Sequence, residues 1–176
     1  MRRLLTILVA VVALAAVPSL RSAVGDAIGG GGGAAAARAE RIARVVRVVD
    51  GDTIVVRLDG RDERVRYIGV DTPESKRPGT PVQCYARAAT RENERLVEGE
   101  RVRLVRDVQE RDRFGRLLAY VYRARDGLFV NAELVRGGFA RRLTIRPDVR
   151  FARRFTALEA EARRAGRGSW GACAPA

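Results

Sequence analysis

Histidine is absent from the 176 residues, and that one absence closes several routes at once. Ser–His–Asp hydrolysis, histidine-based RNA cleavage and histidine metal sites are all excluded. Cysteine occurs only twice, at Cys84 and Cys173, too few to close a zinc site without histidine. Hydrolytic chemistry on this chain must therefore run on carboxylates, arginines and a hard, oxygen-seeking metal. Lysine is almost missing as well: Lys76 is the single one among 34 basic residues. Against 21 acidic residues the formal net charge is +13. Residues 1–40 hold little of it, since Arg2, Arg3, Arg21 and Arg38 face Asp26 and Glu40, leaving +11 on residues 41–176. Such a surface attracts polyanions, whether nucleic acid, anionic lipid or acidic glycan. An arginine-rich soluble surface is also what a GC-rich genome produces, so charge alone does not choose.

The N-terminus reads as an export segment. Met1-Arg2-Arg3 precede a 14-residue uncharged run from Leu4 to Val17, followed by Pro18, Ser19 and Arg21. A membrane span needs about 20 apolar residues, so residues 1–25 fit a signal peptide or an uncleaved signal anchor. Gly29 to Gly33 and Ala34 to Ala37 make residues 26–40 a Gly/Ala-rich linker. The folded domain is expected over 41–174. The chain is then secreted and extracellular, or tethered to the outer face of the cell membrane. In an oxidising compartment two cysteines pair. A Cys84–Cys173 disulfide closes a loop of about 90 residues, worth at most about 4 kcal/mol in the chain-entropy model.

Within the domain, β-branched residues cluster from Arg41 to Asp50, Thr53 to Leu58 and Arg64 to Val70, separated by Asp50-Gly51 and Asp59-Gly60 turns. These three strands form an antiparallel meander. Thr80, Pro81 and Gln83 carry a capping-box signature, which predicts a helix from Pro81 to Val97, stopped by Gly99. Val102–Val105 and Leu117–Tyr122 read as two more strands. Asn131 is expected to cap a short helix through Val135, and Phe151, Phe155, Leu158 and Ala162 form the stripe of a last helix. Trp170 and the phenylalanines of this region are read as packing residues. The fold class is α+β: a five-stranded Greek-key barrel of the OB type with about three helices.

Three clusters carry candidate chemistry. Asp50-Gly51-Asp52-Thr53 is a hairpin turn by itself. Arg66 to Glu74 brings Asp71 and Glu74 close through Pro73, and with Asp52 offers oxygen ligands for calcium. Strict strand alternation sets Arg66 and Asp71 on opposite faces, which a bulge or bend near Gly69 would reconcile. Asp112-Arg113-Phe114-Gly115-Arg116 places an arginine after a glycine turn at the start of a strand, where it can clamp a phosphate.

Together these clusters, with Gly137-Gly138-Phe139-Ala140 and the Gly168-Ser169-Trp170 ending, closely resemble the staphylococcal (micrococcal, or thermo-) nuclease family from about Val45 to Trp170. The resemblance implies an OB-type barrel that hydrolyses DNA and RNA with Ca2+ and leaves 3′-phosphates. It implies Asp52, Asp71 and the Thr72 carbonyl as calcium ligands, Glu74 as the group that orients or deprotonates water, and Arg66 and Arg116 as phosphate clamps. Asp50 is expected to play a supporting or turn role. Arg113 and Phe114 are expected to contact substrate. Phe114 stands where the family often has tyrosine, and Leu143, Thr144 and Ile145 replace expected aromatics. Both departures bear on base binding, where stacking is worth roughly 1–3 kcal/mol per base. The expected partners are DNA and RNA, with no protein partner implied and a monomeric chain. Two alternatives stay open at this stage: a non-catalytic nucleic-acid or protein-binding module on the same fold, and a membrane-tethered basic protein with no nucleic-acid role.

Overall fold

The structure, a computed structural model, describes residues 40–75, 79 and 81–173. The expected export segment, nearly all of the expected linker, and Thr80 lie outside the described residues. In chain order the elements are β1 (Glu40–Asp50), β2 (Thr53–Leu58), β3 (Arg61–Tyr67), β4 (Val70–Asp71) and α1 (Ala86–Val97). Then follow β5 (Arg101–Val105), β6 (Leu117–Arg123), α2 (Val130–Arg136), β7 (Arg141–Arg142), α3 (Ala152–Arg164) and α4 (Ser169–Ala172).

Five strands close into a barrel in the order β1-β2-β3-β6-β5, with β5 returning to β1. All neighbours run antiparallel except β3 and β6, which run parallel. That single parallel contact follows from topology, because α1 and β5 intervene between β3 and β6 and bring the chain back in the same direction. The period-2 alternation sets the faces. Ile54, Val56 and Leu58 of β2, Val65 and Tyr67 of β3, and Val102 and Leu104 of β5 fill the barrel. Thr53, Val55 and Arg57 of β2 point outward. Beside the barrel, α2 and α3 enclose an aromatic cluster in which Tyr120 meets Phe151 edge-on at 4.6 Å and Phe129 lies 5.0 Å from Phe151. Among the described residues no helix is long and apolar enough to cross a membrane.

Three local expectations need correction. The third strand does not run to Val70: it ends at Tyr67, turns through Ile68 and Gly69, and resumes as β4 against β7. Gly69 makes this possible, with φ of +81° and Phe155 so close that a Cβ would fall 2.3 Å from its ring. The first helix starts at Ala86 and not at Pro81. Gln83 is diverted from any capping box, because its side-chain oxygen accepts the Glu74 N–H (2.8 Å) while its own N–H donates to the Glu74 carbonyl (3.0 Å). Asn131 does not cap α2. It is the second residue of that helix and fully buried. Its side chain accepts the Val121 N–H and donates to the Ile68 carbonyl, both at 2.9 Å.

Asn131 thus fastens the turn that precedes β4 to the barrel wall. An Asn131→Ala variant leaves Val121 N–H and Ile68 C=O buried without partners. We expect it to lose on the order of 2–3 kcal/mol of unfolding free energy with an unchanged m-value, measured by urea denaturation.

Candidate active site

The site is assembled where the β1–β2 turn meets the segment after β4. Tyr67 N–H donates to the Asp52 carbonyl (2.9 Å), and Asn93 of α1 donates to the Asp50 carbonyl (2.9 Å) while accepting the Tyr67 hydroxyl (2.9 Å). The Tyr67–Asn93 tie is buried and the Asn93–Asp50 tie part-buried, so the 50–53 turn is fixed from the strand side and the helix side together. Asp52, only 5% exposed, then reaches across. Its Oδ2 accepts both the N–H (2.8 Å) and the hydroxyl (2.9 Å) of Thr72. Gly51 permits the approach: a Cβ there would sit 2.7 Å from the Thr72 methyl.

Arg66 resolves the alternation problem posed by its strand. The Ile68-Gly69 turn brings the chain back, so that Arg66 donates to the Tyr67 and Val70 carbonyls (2.8 and 2.7 Å) and to Oδ1 of Asp71 (2.9 Å). Its Nε lies 3.2 Å from Oδ1 of Asp52. One guanidinium therefore spans both candidate metal-ligating carboxylates. Arg116 arrives from the other side on an Asx-type turn. Oδ1 of Asp112 accepts the Phe114 and Arg116 amides (2.9 and 3.0 Å), and Oδ2 accepts the Arg116 Nε (2.7 Å). Burial raises the Asp112 carboxyl, but these bonds from the Arg116 side chain and the two amides outweigh it and hold Asp112 below its ordinary range. Asp112 is a fixed anion that aims Arg116.

A cavity of about 210 Å³ is lined by Asp50, Asp52, Asp71, Thr72 and Glu74, with Arg66 and Arg116 on its wall. The five side chains expected to act together, Asp52, Arg66, Asp71, Glu74 and Arg116, do converge on it. A second cavity of about 430 Å³ shares Arg66, Asp71 and Arg116 with the first. Its lining is largely apolar, with Leu118, Leu143 and Ile145, and it includes Arg113 and Phe114. Phe114 is 67% exposed, with the Arg113 and Arg116 guanidiniums 4.7 and 5.4 Å from its ring centre. Asp148, buried at the edge, accepts the Val108 and Gln109 amides and shapes the wall.

Two residues near the site escaped the sequence reading. Gln83 holds the Glu74 backbone on both sides, as described above. Its neighbour Cys84 is disulfide-bonded to Cys173, the pairing expected from the sequence. The loop carrying Glu74 is thereby anchored to the end of α4. Arg141 of β7 pairs in register with Asp71 and lies 5.0 Å from the Trp170 ring centre. Neither role has a local sequence signal, since both come from contacts between distant segments.

The acidic cavity is electrostatically short of cations. Burial, and then the charge of Asp52, push Asp50 up from 3.8 to about 6. Asp71 is raised by burial, Arg66 opposes the rise, and Asp52 and Glu74 add to it. Carboxylates that bind protons too readily are carboxylates that would welcome a metal, and with no nitrogen or sulfur donor present the set suits a hard cation. Among the described residues no three acidic side chains alone close into a chelating cluster. A cation here would therefore need backbone carbonyls, waters or substrate oxygens to complete its shell.

A closed five-stranded barrel with a basic, acid-lined site defines the oligonucleotide-binding barrel class. Comparison with known proteins narrows it. The family model described as "Staphylococcal nuclease homologue" matches residues 64–172, and the chain belongs to that family. It is 40% identical over 123 residues to a thermonuclease of Staphylococcus hyicus, covering 70% of this chain and 72% of that protein. It is 50% identical over 94 residues to a thermonuclease of Staphylococcus intermedius, covering 53% and 55%. It is 41% identical over 117 residues to the endonuclease YncB of Bacillus subtilis (strain 168), covering 65% and 54%. The chain thus spans little more than half of the last two.

The raised Asp50 carboxyl has a measurable consequence. Its folded pKa lies above its unfolded value, so the protonated form is favoured by folding, and that stability is lost as pH rises from about 4 through about 6. Asp50→Asn keeps an acceptor oxygen for the Asp52 amide and removes the charge. Scanning calorimetry in metal-free buffer is expected to show a higher Tm than the parent at pH 8 and no gain at pH 4.

Proposed function

We propose that this chain is a calcium-dependent nuclease that hydrolyses phosphodiester bonds of DNA and RNA by cleaving the P–O5′ bond and leaving 3′-phosphates. The observation that carries the reading is the shared wall: Arg66 and Arg116 both face the acidic cavity and the apolar groove. A phosphate at that wall would meet two guanidiniums, with its water-derived nucleophile on the acidic side and its sugar and base on the apolar side. Membership of a family whose relatives are named thermonucleases and an endonuclease supports the same reading.

Each residue then has a definable task. The Glu74 carboxylate, reaching the cavity from a backbone clamped by Gln83, takes the proton of the attacking water. No histidine competes for that role. The water oxygen forms a bond to phosphorus as the bond to O5′ breaks, and the released O5′ gains a proton from solvent. Negative charge grows on the non-bridging oxygens during this step. Arg66 and Arg116 donate to those oxygens in fixed, partly buried positions, where their effect exceeds that in water. Calcium would be held by the Asp52 and Asp71 carboxylates and the Thr72 carbonyl, and would supply additional positive charge beside the phosphate. Arg113 and the Phe114 face would contact the nucleotide in the groove. Leu143 and Ile145 offer it contact area without an aromatic stacking partner. The N-terminal export segment and the disulfide support action outside the cytoplasm, as a secreted or membrane-tethered monomer.

The expected outcomes are specific. Release of acid-soluble nucleotides from single-stranded DNA requires calcium and stops in excess chelator. Glu74→Gln lowers kcat by roughly 10²–10⁴-fold. Arg66→Ala or Arg116→Ala each costs roughly 10²–10³-fold in kcat. Binding without cleavage by the parent protein in calcium would refute the catalytic reading. Because Cys84 adjoins Gln83, reduction of the disulfide is expected to lower kcat by roughly tenfold, with a smaller change in KM. Stopped assays with and without dithiothreitol read this directly, with circular dichroism confirming that the fold persists.

A further inference from the structure

The outer face of the barrel beside the site carries arginines in an arrangement that stability does not explain. Arg44 of β1 stands opposite Arg57 of β2 on one side and Arg101 of β5 on the other. All three side chains point outward, because their strand neighbours Val45, Val56 and Val102 point into the barrel. Like charges directly opposite on adjacent strands destabilise a sheet. Closer to the site, Arg47 and Arg64 flank outward-facing Val55 in a second row. The parallel register continues that row: Val65 pairs with Leu117, so Arg64 and Arg116 stand one residue before it on neighbouring strands.

Charge pairing differs sharply around the barrel. Arg41, Arg103 and Arg123, on other parts of β1, β5 and β6, each reach a carboxylate. On the face in question Arg57 alone does, through Asp62. Arg44, Arg47, Arg64 and Arg101 meet no carboxylate within ion-pair distance among the described residues, and all four are exposed. Other arginines, such as Arg61, Arg87 and Arg91, also lack an ion pair among the described residues, but on this face the four unpaired guanidiniums stand in two cross-strand rows that begin beside Arg116. From the Thr53 register of the site to the Arg57 row is four residues, about 13 Å along a strand. That is the axial length of roughly four stacked nucleotides.

We propose that this face is an extended binding track for the phosphate backbone of the strand flanking the scissile bond, with Arg64, Arg47, Arg44 and Arg101 as its contacts. The track rests on the nuclease reading for its orientation. It predicts that substrate length matters: a strand long enough to leave the site lies across the β1–β3 face and reaches β5, and a dinucleotide does not. Because the contacts are to phosphates, they carry no sequence preference and are sensitive to salt.

The test uses the full chain and an Arg44→Gln/Arg47→Gln/Arg101→Gln variant. Fluorescence anisotropy with a labelled 20-nucleotide single strand and a labelled dinucleotide, in chelator, measures affinity from 50 to 200 mM salt. Loss of three phosphate contacts makes the log–log salt slope for the 20-mer shallower by about 2, at about 0.7 per contact. Raising salt over that range then weakens the parent about twentyfold more than the variant. The dinucleotide slope changes little, and in calcium the ratio of kcat/KM for the 20-mer to that for the dinucleotide falls. Equal slopes for parent and variant on the 20-mer overturn the track, as does an equal loss on both lengths. Loss of binding to phosphatidylserine vesicles with the 20-mer slope intact also overturns it, in favour of a lipid surface. If neither strand is cleaved by the parent but the slope difference persists, the nuclease reading fails and the track stands.

Discussion

Oδ2 of Asp52 accepts two hydrogen bonds from Thr72, and those bonds, with the Arg66 guanidinium that reaches both Asp52 and Asp71, join two segments of the fold. One segment is the β1–β2 turn, fixed by Tyr67 and Asn93. The other is the run from Asp71 to Glu74, which leaves the barrel after a glycine turn. Without the join, the barrel would still close, because its register and core do not involve residues 71–74. The carboxylates would then stand on independent loops, and Arg66 would have no reason to bridge them. The proposed catalytic arrangement depends on that short contact between a buried aspartate and a threonine.

The rest of the structure reads as support for this join. Asn131 holds Ile68 in place before the turn, and Phe155 presses on Gly69 within it. Gln83 grips Glu74 beyond it, and the Cys84–Cys173 bond ties Gln83's neighbour to the C-terminal helix. Asp112 does for Arg116 what this chain of contacts does for Glu74: it spends a carboxylate on orientation alone. The side chains that line the acidic cavity are few, and many more residues hold them where they are.

Strand positions and the barrel class were legible because period-2 patterning and Asp-Gly turns are local signals. The convergence of Asp52, Arg66, Asp71, Glu74 and Arg116 was legible only through three motifs in register. Composition and spacing alone left the Asp50-Gly51-Asp52 turn as an ordinary hairpin. What failed were readings in which a local rule met a distant partner. Gln83 has the spacing of a capping box but bonds to Glu74, nine residues back. Asn131 sits where a cap could be, yet its amide serves two distant backbone groups, one on β6 and one in the turn after β3. The third strand carries β-branched residues to Val70, yet Gly69 breaks it because the site needs Asp71 turned toward Arg66. In each case the tertiary demand outweighed a local preference worth about 1 kcal/mol.

The choice of guanidinium over ammonium has a consequence beyond geometry. Arginine keeps its proton well past pH 12, whereas lysine surrenders its own near 10.4. A barrel face and a cavity wall built on arginine retain their positive charge in strongly alkaline media. Reagents that acylate, glycate or crosslink side-chain amines find a single target in this chain, Lys76. Amine chemistry would therefore reach one side chain, two residues after Glu74, besides the α-amine of the chain, and leave the arginine surface chemically untouched.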